Sequence, residues 1–353
     1  MLSRFSLVIT VILTVHTGLR ADKVVLVVGG GTGPERVIQP FAVDFDAAGN
    51  VLFVEMNGGE RLRQVSLDGT LSTLAGTGNK GIPGHDGPAS DATFNGMHNL
   101  AVAPDGTVYL ADSFNHRIRI YDPKSKTVKP FAGTGEKGFA GDGGPATKAK
   151  FNQTICIALT PDGKTLYVAD IGNKRVRAID IASGVVKTVA GTGKPGVPKN
   201  GEPAVEQPIV DPRAVAMDGK GNLYILERGG HALRVVNPDG TIRTVAGTGK
   251  AGKGGDGGPA LMAAMNGPKY LSIDPDGTVL ITDTENHQIR RYIPGKETME
   301  LVAGTGKRGP GGVGGPPEKL EMARPHGATT DPKTGAIYIA DSDNNRVIKI
   351  VKE

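Results

Sequence analysis

Short apolar runs, each followed by a few turn-forming residues, recur along the whole chain. In one representative stretch the apolar runs lie at residues 100–103, 108–111, 117–121 and 127–131, and the turn Pro104-Asp105-Gly106 separates the first two. Runs this short, bounded by Gly, Pro and Asp, are typical of β-strands, and their close spacing favours pairing between successive strands. The pattern therefore predicts four short strands that form one antiparallel meander.

This stretch is one unit of a repeat with a glycine signature related to Ala-Gly-Thr-Gly, which returns at intervals of 56 to 58 residues. A shorter relative of the signature occupies residues 30–33. One meander cannot bury both of its faces alone, so six such units must stack on one another around an axis. The sequence thus predicts an all-β fold, a six-bladed β-propeller with four-stranded antiparallel blades. The first glycine of each later signature is Gly76, Gly133, Gly191, Gly247 or Gly304.

The two ends of the chain complement each other. The sixth unit ends after the apolar runs 337–340 and 346–351, one strand short of a blade, and the apolar run 24–28 near the start leads into the first glycine signature. We therefore expect the N-terminal strand to complete the last blade and close the ring, which would also cover an exposed sheet edge. Residues 22–353 are expected to form a single propeller domain.

Composition excludes several other classes of protein. The 353 residues include 53 Gly and 24 Pro, spread over the whole length, and both are unfavourable inside helices, so a helical bundle is excluded. The one cysteine, Cys156, excludes an intrachain disulfide and a zinc site built from cysteines. The net charge of +5 is small, and the basic residues are scattered without a nucleic-acid-binding motif. Nucleic acid is therefore not expected as a partner.

The first residues have the pattern of a secretory signal peptide. Arg4 precedes an apolar stretch at residues 5–15, and the small residue Ala21 is suited to cleavage before Asp22. The alternative is an uncleaved anchor, although the apolar stretch is well short of the roughly 20 residues that span a bilayer. With residues 1–21 removed, no segment long and apolar enough to cross a membrane remains, so we expect a secreted or periplasmic protein.

An acidic residue follows the second strand of every unit, at what we call the acidic position. Because the acid returns in unit after unit, a structural role is favoured over catalysis: it would cap the following loop or pair with a nearby cation such as Arg117, Arg175 or Arg346. The recurring acids are Asp112, Asp170, Asp283 and Asp341, and the first and fourth units depart from the repeat with Glu55 and Glu227 at this position.

The repeat resembles the NHL repeat. The resemblance rests on residues 109–119, Tyr-Leu-Ala-Asp-Ser-Phe-Asn-His-Arg-Ile-Arg, with echoes at 167–177, 281–290 and 338–348, and on the loop Gly-Asp-Gly-Gly-Pro-Ala at 141–146. It covers about residues 24–353 and implies a six-bladed propeller of the secreted bacterial type. NHL propellers include protein-binding, RNA-binding and enzymatic members, so the resemblance indicates the fold and leaves the chemistry open.

A second aligned position carries the candidate site. The first strand of a propeller blade lines the central axis, and we call the residue at its start the axial position. Four of these six residues carry or can acquire a positive charge, so they would converge into a pocket for an anionic ligand unless they are simply solvated at the channel mouth. The axial residues are Phe41, His98, Ile155, Arg213, Lys269 and His326, followed by Ala42, Asn99, Cys156, Ala214, Tyr270 and Gly327.

The expected pocket comprises axial and following residues with two acids at its rim. A divalent metal is the alternative occupant, bound by the neutral imidazoles of His98 and His326 with Glu55 or Glu227. The full set of expected ligand-binding residues is His98, Asn99, Arg213, Lys269, Tyr270 and His326, with Glu55 and Glu227 at the rim.

These observations favour a secreted scaffold that binds a protein, a glycan or a small anionic ligand through its loop face and axial pocket. The alternative is an extracellular metal-dependent hydrolase or lyase. The resemblance offers two such types: amidating lyases with a metal bound by histidines on the axis, and lactonase-like propellers with an acid and amides around calcium. The sequence departs from both, because only two histidines occupy axial positions and Phe41 stands where an acidic ligand would be sought.

Overall fold

The computed structural model describes residues 22–29, 36–82 and 87–352. These ranges form six small antiparallel sheets. One full-length strand at the edge of each sheet contacts the equivalent strands of both neighbouring sheets. The sheets therefore stand around a common axis as the six blades of a β-propeller, which confirms the predicted fold. Residues 1–21 and the glycine signature at 30–33 lie outside the described residues. Within the described ranges, no helix has the length and apolar character needed to cross a membrane.

The N-terminal strand is β1 (Lys23–Gly29), and blades 1 to 3 follow it. Blade 1 consists of β2 (Pro40–Phe45), β3 (Val51–Glu55), β4 (Leu62–Val65) and β5 (Leu71–Ala75). Blade 2 consists of the short β6 (Gly87–Pro88), β7 (Met97–Val102), β8 (Val108–Asp112), β9 (Arg117–Asp122) and β10 (Thr127–Ala132). Blade 3 consists of β11 (Thr154–Leu159), β12 (Thr165–Asp170), β13 (Arg175–Asp180) and β14 (Val186–Ala190).

Blades 4 to 6 complete the ring. Blade 4 consists of the short β15 (Glu202–Pro203), β16 (Pro212–Met217), β17 (Leu223–Glu227), β18 (Ala232–Val236) and β19 (Thr241–Ala246). Blade 5 consists of β20 (Tyr270–Ile273), β21 (Val279–Asp283), β22 (Gln288–Ile293) and β23 (Thr298–Ala303). Blade 6 consists of β24 (Gly327–Thr330), β25 (Ile337–Asp341), β26 (Arg346–Val351) and β1.

The helical segments of the described ranges are 3-10 turns of three residues. They lie either between the second and third strands of a blade or in the loop that joins one blade to the next. They are Ala89–Asp91, Ser113–Asn115, Ala146–Lys148, Ile171–Asn173, Ala204–Glu206, Ala260–Met262, Thr284–Asn286, Pro317–Lys319 and Ser342–Asn344.

The ring closes through the N-terminal strand, as the sequence predicts. β1 pairs with β26, the last strand of the chain, and Val24 opposes Ile350 in this register. The Val24 side chain is fully buried against blades 5 and 6. Sequence ends more than 300 residues apart thus share one sheet, and the outer edge of blade 6 is paired.

Two blades carry a short fifth strand that the repeat does not predict. β6 pairs with β10, and β15 pairs with β19, at the outer edge of blades 2 and 4. The corresponding loops at blades 3 and 5 make single bridges, from Pro145 to Val185 just before β14 and from Pro259 to Thr298 in β23. The Gly- and Pro-rich loops therefore lie along the outer strands and cover edges that could otherwise pair with another chain.

Glycine is required at the start of the five later glycine signatures because the backbone there is left-handed and crowded. Gly247 has a φ of +93°, and a Cβ at this position would collide with the carbonyl oxygen of His231. Its N–H donates a hydrogen bond to the carbonyl of Ala260 at 2.9 Å, in the loop that leads to the next blade. The signature thus fixes the connection between consecutive blades.

The acidic position has a structural role in every blade. Each carboxylate accepts a hydrogen bond from the backbone N–H three residues before the axial residue of its own blade, so it fixes the loop that carries that side chain. Asp341 also pairs with Arg346 at 2.7 Å, as expected. The expected pairing is wrong for Arg117 and Arg175, which donate instead to the carbonyls of Thr134 and Thr192. The acceptor and donor pairs are Glu55 with Ile38, Asp112 with Asn95, Asp170 with Asn152, Glu227 with Val210, Asp283 with Asn266 and Asp341 with Ala323.

Candidate functional site

All six axial residues line one cavity of about 480 Å³ at the end of the axis where the first strands begin. The structure thus brings His98, Arg213, Lys269 and His326 together, with Phe41 and Ile155 completing the ring. Each side chain lies there because the acid of the same blade fixes the loop that precedes it, which we call the leading loop. Volumes of about 300–1,000 Å³ are typical of pockets for small organic ligands.

The residues after the axial position lie elsewhere. Successive side chains of a strand point in opposite directions, and Tyr270 and Cys156 line a separate cavity of about 620 Å³ at the other end of the axis. Asn99 is buried and its Oδ1 accepts a hydrogen bond from the Ile157 N–H at 3.2 Å. Among the residues that the structure describes, none lines both cavities. Asn99 and Tyr270 therefore do not join the other expected ligand-binding residues.

Glu55 and Glu227 do not lie at the rim of the cavity either. Both are fully buried inside their blades, where Glu227 accepts hydrogen bonds from Arg234 at 2.7 and 3.0 Å and Glu55 pairs with Arg63 at 3.2 Å. Burial raises the pKa of both carboxyls, opposed mainly by the neighbouring arginine. These two acids fix the leading loops in the way the aspartates do in the other blades.

Arg213 is buried without a hydrogen-bonded partner among the described residues, and the nearby Asp211 carboxylate favours its charged form without forming an ion pair with it. Its side chain is 7% exposed and faces the cavity, and within the described ranges it makes neither a hydrogen bond nor an ion pair. Burial lowers the pKa of this guanidinium to about 10, so it still carries its charge at neutral pH. A buried, unpaired cation is costly, and an anion in the cavity would remove that cost.

Lys269 and Arg324 share a single carboxylate. Lys269 Nζ lies 2.9 Å from Glu285 Oε1, and Arg324 donates to both oxygens of the same group at 2.9 and 3.1 Å. Burial lowers the pKa of Lys269 to about 8, although Glu285 opposes this shift. Burial raises the pKa of Glu285, but the hydrogen bonds from Arg324 and Lys269 outweigh it and set the pKa at about 2. Two cations against one acid leave an excess positive charge at the cavity wall.

Aromatic rings form the other part of the wall. Phe41 stacks on His326 with ring centroids 4.0 Å apart and meets His98 edge-on at 5.3 Å, and His98 meets Phe114 edge-on at 5.2 Å. Burial and the nearby cations lower the pKa of His98 to about 3 and that of His326 well below its ordinary value. Both imidazoles are therefore neutral at pH 7.

The two histidines do not fit a shared metal ion. The Phe41 ring contacts both imidazoles, and Lys269 Nζ lies 3.4 Å from His326 Nε2, where it would repel a cation. The Nδ1 atoms are bonded to the Gly96 carbonyl at 2.8 Å and to Ser342 Oγ at 3.0 Å. Across the residues that the structure describes, no group of three or more His, Cys, Asp or Glu side chains is placed to bind a metal.

The cavity also contains residues that sequence alignment of the axial position does not find. Eight of them occupy two further aligned positions: two residues before the axial residue, and two residues after the acidic position. The same alignment, shifted along the repeat, would have found them, because the loops containing these positions meet at one end of the axis. These eight residues are Gln39, Gln153, Asp211, Arg324, Asn57, Phe114, Gly172 and Asp343, and other positions after the acidic position contribute Met56, Ile171, Lys174 and Arg228.

Sequence comparison places two of these units in a known repeat family. Residues 265–292 and 322–350 match the NHL repeat. The chain is 28% identical over 263 residues to Protein SUPPRESSOR OF QUENCHING 1, chloroplastic, of Arabidopsis thaliana, covering 71% of this chain and 24% of that protein. It is 28% identical over 294 residues to NHL repeat-containing protein 2 of Homo sapiens, covering 75% of this chain and 39% of that protein. The chain thus spans well under half the length of these relatives.

Solved structures share the fold at low sequence identity. An auxiliary nutrient binding protein from Bacteroides thetaiotaomicron superposes with a TM-score of 0.69 at 15% identity, covering 95% of this chain and 77% of that one. A virginiamycin B lyase from Staphylococcus aureus superposes with a TM-score of 0.57 at 13% identity, covering 94% and 99%. These likenesses concern the fold. The chain is therefore a six-bladed β-propeller in which residues 265–292 and 322–350 are NHL repeats.

Proposed function

We propose that the protein is a ligand-binding NHL propeller whose axial cavity binds a small anionic molecule. The observation that carries the proposal is Arg213, a buried guanidinium that faces the cavity without a partner among the described residues. Desolvation costs a charged group several kcal/mol unless a counter-charge compensates for it. A bound carboxylate or phosphate would supply that counter-charge through two parallel hydrogen bonds to the guanidinium.

The charge balance of the cavity supports an anion. The described part of its lining contains five cations, namely Lys174, Arg213, Arg228, Lys269 and Arg324, and two acids, Asp211 and Asp343. Glu285 lies behind Lys269 and Arg324 and neutralises one further charge. Low-dielectric walls strengthen the field of the remaining cations at the cavity centre.

Export of the protein is part of this proposal. Residues 1–21 have the pattern of a cleaved signal peptide, and solved structures of similar fold include proteins named auxiliary nutrient binding proteins. N-terminal sequencing of protein from the exported fraction should begin at Asp22. Recovery of the full chain in the cytosol, with Met1 retained, would contradict export.

A scaffold role toward a protein or a glycan uses the same face, because the leading loops and the loops after the acidic position surround the cavity mouth. The metal-dependent hydrolase or lyase is the weaker candidate, since His98 and His326 do not fit one metal. A protein or a glycan bound at this face could place an anionic group on Arg213.

The experiment compares anion binding by the wild type and Arg213→Met, with Arg243→Met as the matched control. Arg243 lies in the same blade but is 43% exposed and pairs with Glu297 at 3.6 Å, away from the cavity. Sulfate and citrate should raise the melting temperature of the wild type and the control, and calorimetry should find one site. The Arg213→Met variant should lose this response. Equal responses in all three proteins, or none in the wild type, would refute the proposal.

A further inference from the structure

The side chains around the axis are divided into a cationic half and an aromatic half. In a ring of six blades, blades three apart face each other across the axis. Phe41 in blade 1 therefore opposes Arg213 in blade 4, and His98 in blade 2 opposes Lys269 in blade 5. The cavity thus presents positive charge on one side and flat rings on the other.

The aromatic half is a continuous surface. Phe41 contacts both histidine rings, and Phe114 extends the surface beyond His98. The low pKa values keep these imidazoles uncharged, so the rings act as weakly polar aromatic faces and edges at neutral pH. Aromatic pairs favour offset-stacked and edge-on arrangements, which this surface offers to a planar guest.

The cationic half is built for a planar anionic group. The Arg213 guanidinium is free to donate two parallel hydrogen bonds, and Lys269 adds a charged donor from the neighbouring blade. A cavity of about 480 Å³ is larger than an inorganic anion needs, and such an ion on Arg213 would leave the opposite aromatic half without contacts. The occupant that uses both halves carries an anionic group at one end and a flat ring at the other.

We propose that the axial cavity is selective for aryl carboxylates, with the carboxylate on Arg213 and Lys269 and the ring against Phe41 and His98. This inference rests on the proposed function and narrows it from anions in general to one chemical class. It requires the two halves to be occupied at once, which neither a simple anion nor a neutral aromatic compound can do.

The test measures binding of a matched set of compounds to the wild type by isothermal titration calorimetry. Benzoate and 2-naphthoate should bind at least about tenfold more tightly than acetate, since a ring gains both burial and ring contacts. Benzamide, which has the ring without the charge, should bind at least about tenfold more weakly than benzoate. Cyclohexanecarboxylate, which is apolar but not flat, should fall between acetate and benzoate.

A variant then assigns the ring preference. Phe41→Leu should reduce the preference for benzoate over acetate to within about threefold. Phe131→Leu is the control, because Phe131 contacts Tyr109 in blade 2 and does not line the cavity. If Phe41→Leu does not fold, the compound series on the wild type still decides the matter.

The outcomes separate the two proposals. Equal affinity for acetate, benzoate and cyclohexanecarboxylate would overturn the aryl-carboxylate inference and leave anion binding intact. Tight binding of benzamide would also overturn it, because the cationic half would then have no part in selection. Failure of sulfate, citrate and all the carboxylates to bind would refute both.

Discussion

The ammonium of Lys269 lies 3.4 Å from Nε2 of His326, and both side chains are buried at the cavity wall. The imidazole is neutral and accepts the lysine hydrogen bond, so its Nδ1 N–H donates to Ser342 Oγ. Lys269 is therefore held between a neutral acceptor and the Glu285 carboxylate. Burial sets its pKa at about 8, near neutral pH.

Anion affinity should fall as the pH rises through about 8. Lys269 binds an anion only while it is protonated. The other groups of the wall keep their charge states between pH 7 and 9, namely Glu285, His326, Arg213 and Arg324. Sulfate affinity should therefore decrease by up to about tenfold over this range. Lys269→Arg should give a flat profile, measured by calorimetry at each pH. A wild-type profile as flat as that of the variant would contradict the role of Lys269.

Arg213→Met should make the empty protein more stable. The substitution removes a buried cation that has no partner in the described part of the chain and keeps a side chain of similar length. The free energy of unfolding should rise by about 1–3 kcal/mol without ligand, measured by urea denaturation. The exposed control Arg243→Met should change it by less than about 0.5 kcal/mol. A clear loss of stability in Arg213→Met would mean that the guanidinium supports the fold.

Glu285→Gln should increase anion affinity. The Glu285 carboxylate pairs with two of the cavity cations. Lys269 Nζ lies 2.9 Å from it, and Arg324 donates hydrogen bonds to both of its oxygens. Neutralising it raises the positive potential and frees donors, so sulfate should bind about three- to tenfold more tightly at pH 6, where the measurement allows for the further fall in the pKa of Lys269 that loss of Glu285 causes. Glu297→Gln, at a 70% exposed site paired with Arg243, is the matched control. Weaker sulfate binding by Glu285→Gln would show that the acid positions the cations instead of competing for them.

The glycine signature should tolerate alanine at one position and not at the other. Gly247→Ala places a Cβ against the His231 carbonyl and strains a φ of +93°, so it should lower the free energy of unfolding by more than about 3 kcal/mol. Gly249→Ala meets no atom within 4 Å at a φ of +76° and should lower it by about 1–2 kcal/mol. Urea denaturation measures both changes. Equal losses in the free energy of unfolding would mean that the positive φ alone, and not the close contact with His231, requires glycine at these positions.

Ring closure can be tested on one strand. Val24 is fully buried and Leu26 is 48% exposed, both on β1. Val24→Asp buries an unpaired charge and should lower the free energy of unfolding by more than about 3 kcal/mol, whereas Leu26→Asp should change it by less than about 1 kcal/mol. Thermal denaturation followed by circular dichroism distinguishes them. Similar melting temperatures would mean that β1 contributes little to the ring.

Backbone features were predictable because they repeat. The glycine signature fixes blade number, and the short sixth unit fixes closure by β1, since both depend on residues whose conformational demands are local. The axial position was predictable for the same reason: Phe41, His98 and Arg213 occupy one register, and a rotational repeat brings one register together. Asn99 and Tyr270 lie elsewhere because successive side chains on a strand alternate in direction.

The places of the glutamates and the pairing of charges in the cavity wall were harder to predict from the sequence. Glu227 has the same backbone partner as the aspartates but reaches it with a longer side chain, so its departure from the repeat does not mark a change of place. The triad of Lys269, Glu285 and Arg324 joins two blades. Its formation depends on the distance between neighbouring loops, which a single repeat does not specify.

The hydrogen bond that each acidic position accepts from the loop before the axial residue supports every axial side chain within its own blade. The bond is made by backbone N–H, so it does not depend on which side chain the axial residue carries. Ile155 in blade 3 and Arg213 in blade 4 are presented by the same device although their chemistry differs completely. The axial side chains can therefore be exchanged one at a time without loss of these bonds, and the ligand preference of the cavity can change while the backbone of the propeller stays the same.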